Sequence, residues 1–264
     1  MSSSIAELRT VLERRWQTAI PRPRIECSVP SERSVPGERS ELGGLRRLGP
    51  LLGPGGIPQG RLIELFGARS SGKTTLTFAV LAACTRAGGI GAYVDPARRF
   101  FAPAAAAAGI DMRRLVVVRP HDAAASLRAL DALVRGAACA VVAFDASECP
   151  GALRTQHCAR LVAQAEKTAT TLLIVSAGNE PAVASFAALR LRASGLAPLW
   201  QEGSDACGRL LGCTTSIEIA KSRATAPGRN AHFAAALPDV AGTWPLANDV
   251  AVVIRPVNAL SAGE

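Results

Sequence analysis

Between Gly67 and Thr74 the chain reads Gly-Ala-Arg-Ser-Ser-Gly-Lys-Thr, the G-x-x-x-x-G-K-T spacing of a phosphate-binding loop. Each residue type there has a chemical reason. Gly67 and Gly72 admit backbone angles that a side chain blocks, so successive N–H groups can turn inward onto phosphate oxygens. Lys73 brings a positive charge to the β- and γ-phosphates, and the Thr74 hydroxyl is an oxygen ligand suited to magnesium. The candidate nucleotide-binding residues are therefore Gly67, Ala68, Arg69, Ser70, Ser71, Gly72, Lys73, Thr74 and Thr75, with ATP and Mg2+ as the expected cofactors. Asp145 joins them from farther along. It closes the apolar run Ala140 to Phe144 and is expected to hold the magnesium indirectly. The plainer readings are a glycine-rich turn that binds nothing, and an aspartate that only caps its own loop.

Elements in the right order must position these groups. Leu62 to Phe66 reads as a buried strand before the loop, and Leu76, Val80, Leu81 and Cys84 recur at helical spacing after it. Further strands are expected at Gly91 to Val94, ending at Asp95, at Leu115 to Val118, at Ala140 to Phe144 and at Thr171 to Val175. Helices are expected at Pro103 to Ala108, after an Asp122 cap with Leu127, Leu130, Leu133 and Val134, and from about Leu153 to Lys167. Phe186 to Arg192 and Ser216 to Lys221 alternate as strands do, and 232–235 and 249–254 are weaker strand candidates. Strands alternating with helices predict an α/β fold with a mainly parallel central sheet flanked by helices.

Residues 4–17 place Ile5, Leu8, Val11, Leu12 and Trp16 along one side of a helix, so residues 1–17 read as an N-terminal amphipathic helix. Residues 18–43 form a Pro/Ser/Arg-rich linker that cannot build a core, and 44–264 form the nucleotide-binding domain. Such a helix can dock on a partner or on its own domain. The 264 residues carry a net charge of +9, with 27 arginines and three lysines. The arginines are scattered, so charge alone leaves DNA contact open. Seven cysteines show no C-x-x-C and no metal-like spacing, which points to a reduced, cytoplasmic setting. His157 beside Cys158 carries little weight as a catalytic pair, because helix neighbours in sequence face different ways. No apolar run approaches the length of a membrane span.

Taken in order, these segments resemble the bacterial RecA recombinases over roughly residues 44–240. GGIPQGRLIELFG looks like that family's approach to its first core strand, and RSSGKTTL is close to its phosphate loop. Tyr93 to Asp95, Ala140 to Asp145 and Thr171 to Ser176 follow in the family's order. IAKSRATAP, from Ile219 to Pro227, is similar to the family segment whose two basic residues reach a neighbouring subunit's ATP; here they would be Lys221 and Arg223. The departures are chemical. Where the family carries a glutamate that activates the attacking water, this chain has Ala97, with Glu148 or Asp95 as the possible substitutes. The γ-phosphate-sensing glutamine falls at Gly178, beside Asn179, and the adenine-stacking tyrosine falls in the alanine tract after Pro103. The regions after Asp145 and Ser176 look shorter than the family's DNA-binding loops, and its small C-terminal domain is expected to be absent.

The pattern is similar to one subgroup, the ImuA-type accessory proteins of damage-induced translesion synthesis. That resemblance implies ATP binding with weak or absent hydrolysis, RecA and an ImuB-like polymerase-family protein as partners, DNA contact direct or through them, and a regulatory role in the SOS response. Two rival readings remain at this point: an active DNA-dependent ATPase performing strand exchange, and a P-loop ATPase or kinase with an unrelated substrate.

Overall fold

A computed structural model describes Leu52 and residues 57–149, 151–178, 180–201, 209–223 and 226–236. The expected helix within 1–17, the linker 18–43, the start of the domain at 44 and the weak strand at 249–254 lie outside the described residues.

The apolar runs become strands: β1 (Leu62–Phe66), β2 (Gly91–Val94), β3 (Leu115–Val118), β4 (Val141–Asp145) and β5 (Thr171–Ser176). With β6 (Leu189–Gln201), β7 (Arg209–Ser222) and β8 (Asn230–Ala236) they form one sheet in the order β3-β2-β4-β5-β1-β6-β7-β8. The pairings from β3 through to β6 are all parallel, while β7 and β8 run antiparallel to their neighbours. The sheet is thus mainly parallel, as expected. Its helices are α1 (Lys73–Arg86), α2 (Ala102–Ala107), α3 (Ala123–Arg135), α4 (Thr155–Thr168) and α5 (Pro181–Phe186).

Alternation along the strands builds two cores. Ile63, Leu65, Ala143 and Leu173 face one side, where Leu76, Val80, Leu81 and Cys84 of α1 cover them. Leu62, Val142, Phe144, Leu172 and Ile174 face the other, under Leu130 and Leu133 of α3 and Leu161 of α4. Both faces being covered explains why Val141–Phe144 of β4 and Leu172–Val175 of β5 are continuously apolar rather than alternating. Each such Leu contributes about 1.5–3 kcal/mol by leaving water.

Helix ends follow local chemistry. The Asp122 side chain accepts from the Ala125 amide at 2.5 Å, capping α3 where the sequence places it. Phe186 to Arg192 is not one strand. Pro181 at the first helical position presets the backbone for α5, which ends at Phe186, and β6 begins only at Leu189. The expected strand at 216–221 is the inner part of a longer one, because β7 pairs with β6 from Leu189↔Ser222 to Gln201↔Arg209. Its outer half, with Gly212, Cys213, Thr214 and Thr215, has no apolar alternation to betray it.

Candidate functional site

β1 delivers the chain at Phe66 to the carboxyl edge of the sheet, and α1 carries it away from Lys73. The six residues between them form the loop. Three left-handed or unusual backbone positions shape it: Gly67 at φ 150°, Ser70 at φ 56° and Gly72 at φ 85°. A Cβ on Gly67 would sit 2.1 Å from the Ala193 carbonyl oxygen of β6, so only glycine fits. Gly72 is the N-cap of the 14-residue α1, and no side chain caps its amides. Those first-turn N–H groups and the helix dipole favour an anion.

β7 supports the loop from the side. Thr215 is 3% exposed and donates its hydroxyl to the Ser71 carbonyl at 2.6 Å, while its methyl lies where a Cβ on Gly72 would meet it at 2.9 Å. Thr215 was not legible as a site residue, since a threonine in a polar stretch has no motif around it.

Lys73 is 8% exposed, and its ammonium donates to the carbonyls of Gly67 at 2.8 Å and Ala68 at 2.5 Å. Burial lowers its pKa, and the Asp145 carboxylate opposes that. The two predicted groups are therefore brought together, although Asp145 leaves from β4, two strands from β1. Asp145 is 6% exposed and accepts from the Ser147 amide at 3.1 Å. Beside it the phenol of Tyr93 is pushed up by burial first and then by Asp145. The donor set fits magnesium. The Thr74 hydroxyl is exposed, and Mg2+ needs only one or two protein oxygens beside phosphates and waters. Among the described residues no group of three His, Cys, Asp or Glu side chains forms a metal cage, so Thr74 and Asp145 would be the protein's share.

The two substitute bases are both engaged. Asp95 is fully buried, its oxygens accepting from the Arg99 amide at 2.8 Å and the Phe100 amide at 2.9 Å, with Arg119 Nε 3.5 Å away. It shapes the turn after β2, in which Arg98 takes φ 57° and Ala97 offers only a methyl. Glu148 is exposed, and one of its oxygens accepts from Arg69 at 2.7 Å and from Arg99 at 2.6 Å. Those arginines, Arg99 first, hold its carboxyl below the usual range, which weakens it as a base.

Other predicted residues lie elsewhere. Lys221 caps α5, donating to the carbonyls of Ala184 at 3.0 Å and Ser185 at 3.1 Å, while Arg223 is exposed. His157 Nδ1 accepts from the Arg154 amide at the start of α4, and Cys158 is buried, so the two form no pair. Cys84 and Cys139 are core residues whose thiols burial pushes up to about 12. Phe101, at the N-cap of α2, is 63% exposed, the one large exposed apolar side chain among the described residues. Under β1 a buried pair was missed by motif reading: Glu64, fully buried, meets Arg190 Nε at 2.5 Å and accepts from the Ser176 hydroxyl at 3.2 Å. No helix among the described residues is long and apolar enough to cross a membrane.

Known proteins carry the same core. Residues 40–171 match the family model of the RecA N-terminal domain, half of the chain. The chain is 28% identical over 215 residues to the RecA protein of Bacteroides thetaiotaomicron, covering 69% of this chain and 64% of that one. It is 39% identical over 132 residues to RecA of Wolinella succinogenes, covering 46% and 38%. Against RecA of Clavibacter michiganensis it is 30% identical over 215 residues, covering 69% and 58%. The chain thus spans less than two thirds of the length of each of these relatives.

Proposed function

This chain belongs to the RecA N-terminal domain family, and from that premise we propose that it is a nucleotide-regulated accessory protein of bacterial DNA repair rather than a recombinase. It binds ATP with Mg2+ at Gly67 to Thr75 and Asp145, hydrolyses it slowly or not at all, and signals by occupancy. Its partners are RecA and an ImuB-like translesion polymerase-family protein, as in the ImuA-type proteins it resembles, acting in the SOS response.

One observation carries this reading: beside a preserved phosphate cradle, the turn after β2 offers no free carboxylate among the described residues. Ala97 stands where the family carries its acid, and Asp95 is engaged by two backbone amides. Loss of a general base lowers a rate by about 10²- to 10⁴-fold, whereas binding needs only the loop, Lys73, Thr74 and Asp145. Lys221 and Arg223 are proposed to serve at an edge that faces RecA, with Lys221 also holding α5 in place.

The test joins binding to turnover. Purified protein should retain ATP with Mg2+ and lose it on Lys73→Ala, release phosphate at a rate that single-stranded DNA does not raise, and capture RecA or the cognate polymerase in a pull-down. Deleting residues 1–41 shows whether the segment expected to form an amphipathic helix makes that contact. DNA-stimulated turnover at the rate of a recombinase would refute the accessory role, and so would capture of neither partner.

A further inference from the structure

We propose that Arg99, together with Arg69, is a binding residue for the terminal phosphate of the nucleotide, and that Glu148 holds both guanidiniums until that phosphate displaces it; the inference rests on reading the loop as a nucleotide site. Three segments that leave the carboxyl edge of the sheet meet here. Arg69 belongs to the phosphate loop, Arg99 to the turn after β2, and Glu148 lies three residues beyond Asp145 at the end of β4. Because both arginines donate to the same Glu148 oxygen, at 2.7 Å and 2.6 Å, their Nη2 atoms are no more than 5.3 Å apart. A single phosphoryl group spans that separation with two of its oxygens.

The charge is unbalanced in the direction an anion requires. Two guanidiniums share one carboxylate, leaving one net positive charge at the mouth of the loop. The bonds to Glu148 are also weak ones. The side chains are 77% exposed at Arg69, 48% at Arg99 and 32% at Glu148, and pairs that open to water hold little net free energy. A doubly charged phosphate with several oxygens is a stronger acceptor for planar, forked donors than one oxygen of a carboxylate. Arg99 is mounted for such a change: its amide is fixed on Asp95 Oδ1 at 2.8 Å, so the backbone stays while the long side chain turns. Glu148 thus stands where the terminal phosphate will be, and its release on ATP binding would free the loop between β4 and α4.

The experiment is a titration of the full chain, with Mg2+, by fluorescent ADP and by a fluorescent non-hydrolysable ATP analogue. Glu148→Gln should tighten the ATP analogue by about 3- to 10-fold with ADP changed less than about 2-fold, since a neutral amide releases the arginines. Arg99→Gln should weaken the analogue by about 10-fold, spare ADP, and cancel the gain when combined with Glu148→Gln. All three side chains are exposed or half-exposed, and melting curves superimposable on the parent's confirm that the fold is kept. If the parent binds both nucleotides and the variants shift the two alike, or shift neither, the phosphate exchange is refuted while the nucleotide site stands. If the parent retains neither nucleotide, the site reading falls and this inference with it.

Discussion

Replacing Thr215 by valine tests whether β7 holds the phosphate loop in shape. The hydroxyl donates to the Ser71 carbonyl at 2.6 Å, and both residues are 3% exposed, so water cannot take its place. Valine keeps the methyl against Gly72 and nearly the same volume, which isolates the hydroxyl's bond to Ser71 together with its longer contact to the Ser194 carbonyl at 3.3 Å. What is left is a buried carbonyl without its donor, a loss of about 1–3 kcal/mol. For a chain of this size each kcal/mol lowers the melting temperature by about 2–4 °C, so a fall of several degrees is expected in calorimetry. The loss falls on the segment that carries the phosphate-facing amides, so affinity for ATP with Mg2+ should drop with it, by up to about tenfold if 1.4 kcal/mol of the strain is relieved only in the empty loop. Thr215→Ser separates the two contributions. It keeps the donor and removes one methyl, worth about 0.8 kcal/mol of stability, and should leave affinity near that of the parent. A valine variant as stable as the parent to within about 0.3 kcal/mol, with unchanged affinity, would refute the argument that this bond shapes the loop.

Three further outcomes are expected. Glu64→Gln breaks the buried pair with Arg190 and should destabilise the protein by about 3–5 kcal/mol in denaturant unfolding, whereas Glu64→Met with Arg190→Met should recover most of that loss. Ala97→Glu places a carboxylate in the turn after β2 and should raise ATP turnover by at least about tenfold over the parent in a phosphate-release assay, part of the 10²- to 10⁴-fold that a positioned base supplies. Lys73 sheds its proton at a lower pH than a lysine in the unfolded chain, because burial depresses its folded-state pKa. Holding it charged therefore opposes folding below that depressed pKa, and the opposition fades as pH rises through it. Nucleotide affinity moves the other way, so titrations toward alkaline pH should show binding weaken before the ordinary lysine range, an effect that Lys73→Arg removes.

The fold was readable where the chain is buried on both sides. β1 to β5 and α1 declare themselves as apolar runs or helical periodicity, since every residue of β2, β4 and β5 must enter a core. The outer part of the sheet was not. β6 and β7 run on past the expected segments because a ladder of backbone hydrogen bonds joins them, and backbone pairing leaves no periodic pattern in the sequence. The site divides in the same way. Gly67, Lys73, Thr74 and Asp145 come from motif and strand-end logic, while Thr215, Arg99 and the Glu64–Arg190 pair depend on which strands become neighbours. Asp95 shows the reverse: a carboxylate at a strand end reads as chemistry, yet its oxygens are consumed by the amides of its own turn.

The strain in the loop bears on why it persists. Ser70, a residue with a Cβ, is held at φ 56°, a conformation that costs on the order of 1–2 kcal/mol. Gly67 is pressed against the Ala193 carbonyl so closely that no side chain fits, and Thr215 fixes Ser71 from the other flank. A turn that only joined β1 to α1 would relax under drift, because any small residue in an ordinary conformation would serve it equally. Strain held by contacts from two other strands is the arrangement of a surface shaped for a ligand. The same pressure is missing three strands along the sheet, where Ala97 leaves the turn after β2 without an acid. The loop has the shape of a phosphate cradle while the turn after β2 carries no free acid, a combination that favours the proposed reading of a protein read by its partners through the nucleotide it holds.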